Sequence, residues 1–391
     1  MKVAMLSDDF DPAATGVGVH VQLLAKELTA AGHEISVICA RHEGQAESEV
    51  INGLSIHRVT SRNAGGHRVG WPSVKELETI LAQRKIELLH THYFGFMAER
   101  GLRAARSLEL PHVYTFHMEA EHVTQEWPLS WMHPLVAWQY ARMCRQYDQI
   151  IVPAAALKDR LAKDPSLQWI ESVTNPVIPP PSVGPARERT GEFTVLFVGR
   201  LSAEKNLTLL LRGFALFARE NPKARLVLVG SGREEASLKQ LASSLGVQHQ
   251  VEFAGQRSHK ELGGWYESAD AFVLPSTLET QGMVAVEAMF FSKPVLVSNA
   301  IVSANELVTN GENGFLISPS DPQELARRLK ELAADPSLRK RLGEAGAARA
   351  QQYAPRGVAQ KVVSIYEATL KRLSPPAQGS AARSSDGTRP R

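Results

Sequence analysis

AFVLPSTLETQGMVAVEAMFFSKP, residues 271–294, is the stretch whose reading decides the fold. Its first four residues are apolar, the length of a short buried strand. A Pro-Ser-Thr turn follows, then Gln281 and Gly282 at the head of a mostly apolar, helix-patterned run from Met283. Strand, polar turn and helix in this order put a helix N-terminus at the carboxyl edge of a sheet. Backbone N–H groups without intrahelical acceptors and the helix dipole favour an anion there. Glu279 stands just before the helix and Glu287 about two turns further on. A phosphate-bearing ligand that also carries hydroxyls would use all of these parts.

Working outward, the apolar residues 193–198 predict another strand, with a loop through Asn206 and a helix from about Leu207. Arg200 and Lys205 sit on that loop, where two cations can converge on one diphosphate, Arg as a planar fork and Lys as a point charge. Further strands are expected at 225–229, 251–255, 294–297 and 314–317, and helices at 322–333, 337–351 and 358–373. Upstream, residues 176–192 carry five prolines and mark a domain boundary.

Before that boundary, a strand at 3–6, a loop through Gly18, a helix from Val19 ending at Gly32 and a strand at 35–39 form a βαβ unit. Gly16 and Gly18 read equally as a close approach to a phosphate or as a tight turn. The third glycine of a dinucleotide fingerprint is absent, since that position holds His20 and Val21, so a dinucleotide fold is not favoured. Asp9 and Asp11 spell Asp-x-Asp directly after the first strand and read as loop caps or acceptor contacts rather than a metal site. Strands at 55–59, 86–90, 112–116 and 149–153 alternate with helices, which predicts a doubly wound parallel sheet. His117 stands at a strand's carboxyl end, where such sheets place ligands. His90 and His92 have metal-like spacing, but no Cys or carboxylate accompanies them, and zinc is not expected.

Residues 125–147 concentrate Trp127, Trp131, Trp138 and Tyr140 with Arg142 and Arg145. The stretch reads either as a helical cap on the domain or as an acceptor surface where amphipathic rings and basic residues meet lipid. Residues 375–391 are rich in Pro, Gly, Ser, Ala and Arg and predict a disordered tail. The chain of 391 residues has length for two or three domains, and 43% apolar and 22% charged residues are ordinary for a globular protein. A net charge of +3 points to no nucleic-acid partner. Two cysteines in apolar contexts predict no disulfide framework and a reducing, cytoplasmic location. The first residues do not read as a signal peptide, and no apolar run approaches the roughly 18 residues of a membrane span.

Three segments in order carry a family resemblance over nearly the whole chain, to about residue 373: Thr15-Gly-Val-Gly18, Val198-Gly-Arg-Leu-Ser-Ala-Glu-Lys-Asn206, and Glu279-Thr-Gln-Gly-Met-Val-Ala-Val-Glu287. They resemble the retaining glycosyltransferases of family four, whose GT-B architecture sets two Rossmann-like domains face to face across a cleft. The third segment is similar to that family's Glu-x7-Glu signature. The resemblance implies an N-terminal domain over 1–175, a linker over 176–192, a nucleotide-sugar domain over 193–355, a helix over 356–374 crossing back, and the tail. It implies that Arg200 and Lys205 bind a diphosphate, and that Glu287 accepts from ribose hydroxyls. Glu279 and the backbone of Gly282, Met283 and Val284 would meet sugar and phosphate. Gly16 would lie near the diphosphate and His117 near the transferred sugar, with no metal, no other cofactor and no protein nucleophile. Thr-Glu-Thr-Gln-Gly-like wording around residue 280 and the Trp/Arg stretch resemble the members that act on diacylglycerol, implying a lipid acceptor at the inner membrane face; other members use soluble acceptors. The chain departs from common family wording at Val17, at Phe290-Phe-Ser-Lys-Pro294 and at Thr174-Asn-Pro-Val177. An epimerase or phosphorylase on a similar frame, or a non-catalytic relative, are the competing readings; all four charged residues of the site are present.

Overall fold

The computed structural model describes residues 1–10, 15–64, 67–92, 94–117, 133–182 and 192–374. Strands β1 (Lys2–Ser7), β2 (Glu34–Ala40), β3 (Ser48–Ile51) and β4 (Leu54–Val59) open the chain. A hairpin, β5 (Ser61–Ala64) and β6 (His67–Gly70), stands apart from the main sheet. Strands β7 (Leu88–Thr91), β8 (His112–Thr115), β9 (Gln149–Val152) and β10 (Ile170–Ser172) complete the first sheet, in the order β10-β9-β8-β7-β1-β2-β4-β3. Every pairing in it is parallel except β3 with β4. The second sheet holds β11 (Thr194–Val198), β12 (Arg225–Val229), β13 (Val251–Gly255), β14 (Ala271–Leu274), β15 (Val295–Ser298) and β16 (Gly314–Ile317). Its order is β13-β12-β11-β14-β15-β16, parallel throughout.

Numbered along the chain, the second sheet is 3-2-1-4-5-6, and the first follows the same sequence with an extra strand at one edge and β3 at the other. Both are doubly wound, so each reverses direction once, between β1 and β7 and between β11 and β14. Loops diverge there and open a crevice at the carboxyl edge. The central strands are mostly apolar and buried because helices cover both faces; β14 and β15 are fully buried. Cys39 and Cys144 are free and buried.

The C-terminal helix, Pro355–Leu373, begins with Pro at its first turn, where the missing N–H costs nothing. It lies on the first sheet's side, burying Val358, Ala359, Val362 and Tyr366 among Val21, Leu24 and Leu28 of the first helix. The Tyr366 hydroxyl meets His90 Nδ1 at 2.5 Å, and Arg372 stacks 3.8 Å over Trp169.

Two readings of the sequence are corrected. The first helix begins at Gly16, not Val19, because Thr15 caps it: its Oγ1 accepts from Gly18 N at 3.3 Å. His117 lies two residues past the end of β8. Strands β3, β5, β6 and β10 have no counterpart in the sequence reading; they are short and at edges, where pattern is weakest. The tail 375–391 and linker residues 183–191 lie outside the described residues.

Candidate functional site

On the second sheet the loops after β11 and β14 are bound to each other. Asn206, in a left-handed conformation at φ 52°, donates from its side-chain amide to Pro275 O at 3.3 Å and Pro319 O at 2.8 Å. Thr277 N donates to Glu204 O at 2.8 Å. These contacts bring Lys205 Nζ to 2.8 Å from Glu279 Oε2, with both side chains largely buried. Arg200 points elsewhere: its side chain is 66% exposed, 3.3 Å from Glu204 Oε1, on the rim of a cavity of about 810 Å³ that also takes in Gly232 and Thr277. The Ser202 hydroxyl and the Arg200 guanidinium hold the Glu204 carboxyl below its ordinary range, against the opposing effect of its burial, the largest single influence.

Gly282 caps the helix Met283–Phe290 at φ 71°, and a Cβ there would meet Leu274 Cδ2 at 2.8 Å. Both facts demand glycine. The loop before it is fastened from behind: Val302 N donates to Glu279 O, Ser303 N to Thr280 O, and Ser303 Oγ to Gln281 O. The first-turn amides of the helix therefore keep a fixed aim. Glu287 lies a turn inside, buried, with Oε2 accepting from the Tyr266 hydroxyl at 2.7 Å. His259 Nε2 stands 3.6 Å from its other oxygen, and that carboxylate draws the His259 pKa upward. One oxygen of Glu287 is anchored and the other faces a half-exposed imidazole.

The first sheet supplies the opposite wall. Asp9 Oδ2 accepts from Thr15 N at 2.7 Å, which fixes the entry to the first helix; Asp11 lies outside the described residues. Gly16, the first residue of that helix, faces Met283, the first residue of the other: a Cβ on Gly16 would sit 3.3 Å from Met283 Cε. Two helix N-termini thus meet across the cleft, each favouring an anion. Beside them His20, His92 and His117 gather, with His92 Nδ1 3.2 Å from His117 Nε2. Burial drives all three toward the neutral form, His20 to about 4 and the other two well below the usual range. Gln281 closes the floor: its Oε1 accepts from Asn175 N at 3.0 Å where the chain passes between the sheets.

The contacts therefore group Gly16, His117, Lys205, Glu279, Gly282, Met283 and Glu287, with Val284 in the helix's first turn, while Arg200 lines the neighbouring cavity of about 810 Å³ beside Glu204. The aromatic candidates stand apart. Trp138 is 56% exposed on the helix His133–Cys144, with Arg142 5.5 Å from its ring centre and Leu135 also exposed. Arg145 pairs with Asp164 at 2.9 Å. Trp127 and Trp131 lie outside the described residues. Sequence reading gave no role to Tyr266, His259 or His20, and named His92 and Gln281 without their contacts, each of these being on a different βα segment from the residue it touches.

Comparison with known proteins adds to this geometry. The Glycosyltransferase Family 4 model matches residues 14–178 and the Glycosyl transferases group 1 model residues 184–349. The glycogen synthase of Mycobacterium tuberculosis is 28% identical over 89% of this chain and 90% of its own length. The alpha-monoglucosyldiacylglycerol synthase of Acholeplasma laidlawii is 26% identical over 94% of this chain and 96% of its own. Among solved structures, Anabaena HepE in complex with UDP-glucose matches with a TM-score of 0.71 at 21% identity, covering 94% of this chain and 100% of HepE.

Proposed function

Because the chain belongs to family 4 of the glycosyltransferases and has their GT-B fold, we propose that it is a retaining hexosyltransferase. Its donor is a nucleotide-diphosphate sugar of the UDP-glucose kind. The observation that carries this reading is the meeting of two helix N-termini, Gly16 opposite Met283, with Lys205 beside them. That arrangement suits a diphosphate, and charge growing on the departing diphosphate is what such a site stabilises. In the ligand-free protein Glu279 neutralises Lys205; a diphosphate competes for the ammonium and frees the Glu279 carboxylate for sugar hydroxyls. Arg200 reaches the phosphates from the rim. Glu287, steadied by Tyr266, accepts from the ribose. His117, held neutral by burial, can exchange hydrogen bonds with the transferred sugar without repelling an oxocarbenium-like centre.

Two cationic side chains and two helix ends offset the diphosphate charge, so the mechanism proposed here uses no metal and no further cofactor. The acceptor attacks from the face the phosphate leaves, and the phosphate oxygen takes its proton; no side chain is assigned as nucleophile.

For the acceptor we favour a lipid of the diacylglycerol type. Support comes from the relative in Acholeplasma laidlawii and from exposed Leu135, Trp138 and Arg142, which suit a membrane surface. No helix among the described residues is long and apolar enough to cross a membrane. A soluble glucan or small-molecule acceptor is the second reading, favoured by the glycogen synthase of Mycobacterium tuberculosis. Purified protein given UDP-, GDP- or ADP-glucose with diacylglycerol in anionic vesicles, or with soluble glucan, separates the two. Transfer to lipid supports the first reading; transfer to glucan alone supports the second; neither binding nor turnover of any nucleotide sugar defeats both.

A further inference from the structure

Among the described residues, His20, His92 and His117 are so placed that one nitrogen of each lies within 4.8 Å of the others. His20 comes from the first helix, His92 from just past β7 and His117 from just past β8, so three separate βα segments converge. Both His20 nitrogens and His92 Nε2 are buried without a hydrogen-bond partner, an expensive state for a polar atom. The neighbouring Asn175 amide nudges His20 upward in pKa, yet it makes no well-formed hydrogen bond with either ring nitrogen, and its own Oδ1 is likewise buried and unpaired. Each of the three rings, when neutral, carries one lone pair that a Lewis acid can take.

We propose that His20, His92 and His117 form a binding site for a divalent d-block cation of the zinc class, beside the nucleotide-sugar cleft. Tetrahedral coordination at about 2.05 Å puts imidazole centres roughly 5.2 Å apart and ligand nitrogens roughly 3.4 Å apart. The three ring-centre separations are 4.6, 5.4 and 5.5 Å. His92 Nδ1 and His117 Nε2 are already 3.2 Å apart, and His20, whose ring centre is 4.6 Å from that of His117, must turn to bring a nitrogen to the same point. Neutral imidazole is the ligating form, and imidazole sites suit zinc, copper, cobalt and nickel better than magnesium or calcium. Asn175 Oδ1 is at hand as a fourth donor, or water fills that position.

The cation is an inhibitor rather than a participant. Binding fixes His117 against His20 and His92, withdrawing it from a bound sugar; this consequence alone rests on the role proposed for His117. Removing the cation with a chelator is expected to restore activity.

The test uses the cation alone. Cobalt(II) titrated into the metal-stripped full chain is expected to give the visible absorption of a tetrahedral centre at one ion per chain, bleached by zinc. His20→Ala and His117→Gln, checked for native far-UV circular dichroism, should each weaken binding by at least about 100-fold, and His249→Ala, at an exposed position, should leave it unchanged. Zinc should also raise the melting temperature of the unaltered chain by mass action, a readout that needs no variant. Absence of both the absorption and the melting shift, or binding equal in His20→Ala and the unaltered chain, overturns the site. Because no nucleotide sugar is present, loss of the transferase reading would leave these results standing.

Discussion

Lys205 and Glu279 neutralise each other at 2.8 Å in a largely buried position, and that pairing sets what each can be replaced with. Lys205→Ala strands a carboxylate where we propose the diphosphate binds, so it should cost more than the loss of one contact. Transfer from the nucleotide sugar is expected to fall at least about 100-fold, against about 10-fold for Arg200→Ala on the exposed rim. Steady-state kinetics on both variants checks the ranking; equal effects would mean that Arg200 swings fully onto the phosphates. Asp8 makes a separate prediction. Burial, more than the neighbouring Asp9 charge, pushes its pKa up to about 7 despite the hydrogen bond from Gly70 N at 2.7 Å. Between about pH 4 and 7 the folded chain keeps a proton on Asp8 that the unfolded chain has released. Stability contributed by the neutral form is therefore lost as pH rises through that window, on the order of 4 kcal/mol in all. Asp8→Asn keeps an acceptor for Gly70 and removes the titration. Its melting temperature should exceed that of the unaltered chain by a margin that widens from about pH 5 to about pH 8. At this scale the sequence disclosed Lys205, Glu279 and Glu287, because each lies in a contiguous motif. It hid Tyr266 and His259, which act on Glu287 from a different loop, and the histidine cluster, whose members are separated by 72 and 25 residues.

The helix Met283–Phe290 owes its aim to a single backbone requirement at its cap. Gly282→Ala meets both a left-handed φ of 71° and Leu274 Cδ2 at 2.8 Å. A loss of about 2–4 kcal/mol is expected from the two together, read from urea unfolding midpoints. Weaker nucleotide-sugar binding should accompany it, since the first-turn amides would turn away from the cleft. This helix was legible because Gly282 punctuates an otherwise apolar run. The first helix was legible only from Val19 onward, since Gly16 and Gly18 are poor helix formers and their place in the helix depends on capping by Thr15 and on the space left for Met283. Propensity describes the segment alone; the close approach belongs to the pair.

Strand alternation showed that each half is a parallel α/β sheet, but strand order is a property of packing and could not be read from spacing. The amphipathic pattern of Pro355–Leu373 does not by itself say which half it covers; its crossing back to the first half is an expectation from the family resemblance alone. The helix covers the first, and Tyr366 makes a buried polar contact there, with His90 at 2.5 Å. Tyr366→Phe leaves the buried His90 Nδ1 unpaired and should destabilise the first half by about 1–3 kcal/mol, measured by thermal or urea unfolding. Val177 is embedded in the second half's core and its N–H donates to Tyr353 O at 2.8 Å. Each half has thus lent the other a piece: the segment after β10 carries Val177 into the second core, and the segment after 354 carries Val358, Val362 and Tyr366 into the first. A cut between residues 182 and 192 would yield two polypeptides, neither of which owns its complete interior. Such fragments should be insoluble or associated when made singly, and should recover the native fold and nucleotide-sugar binding when made together, so this enzyme lends itself to splitting into a complementing pair.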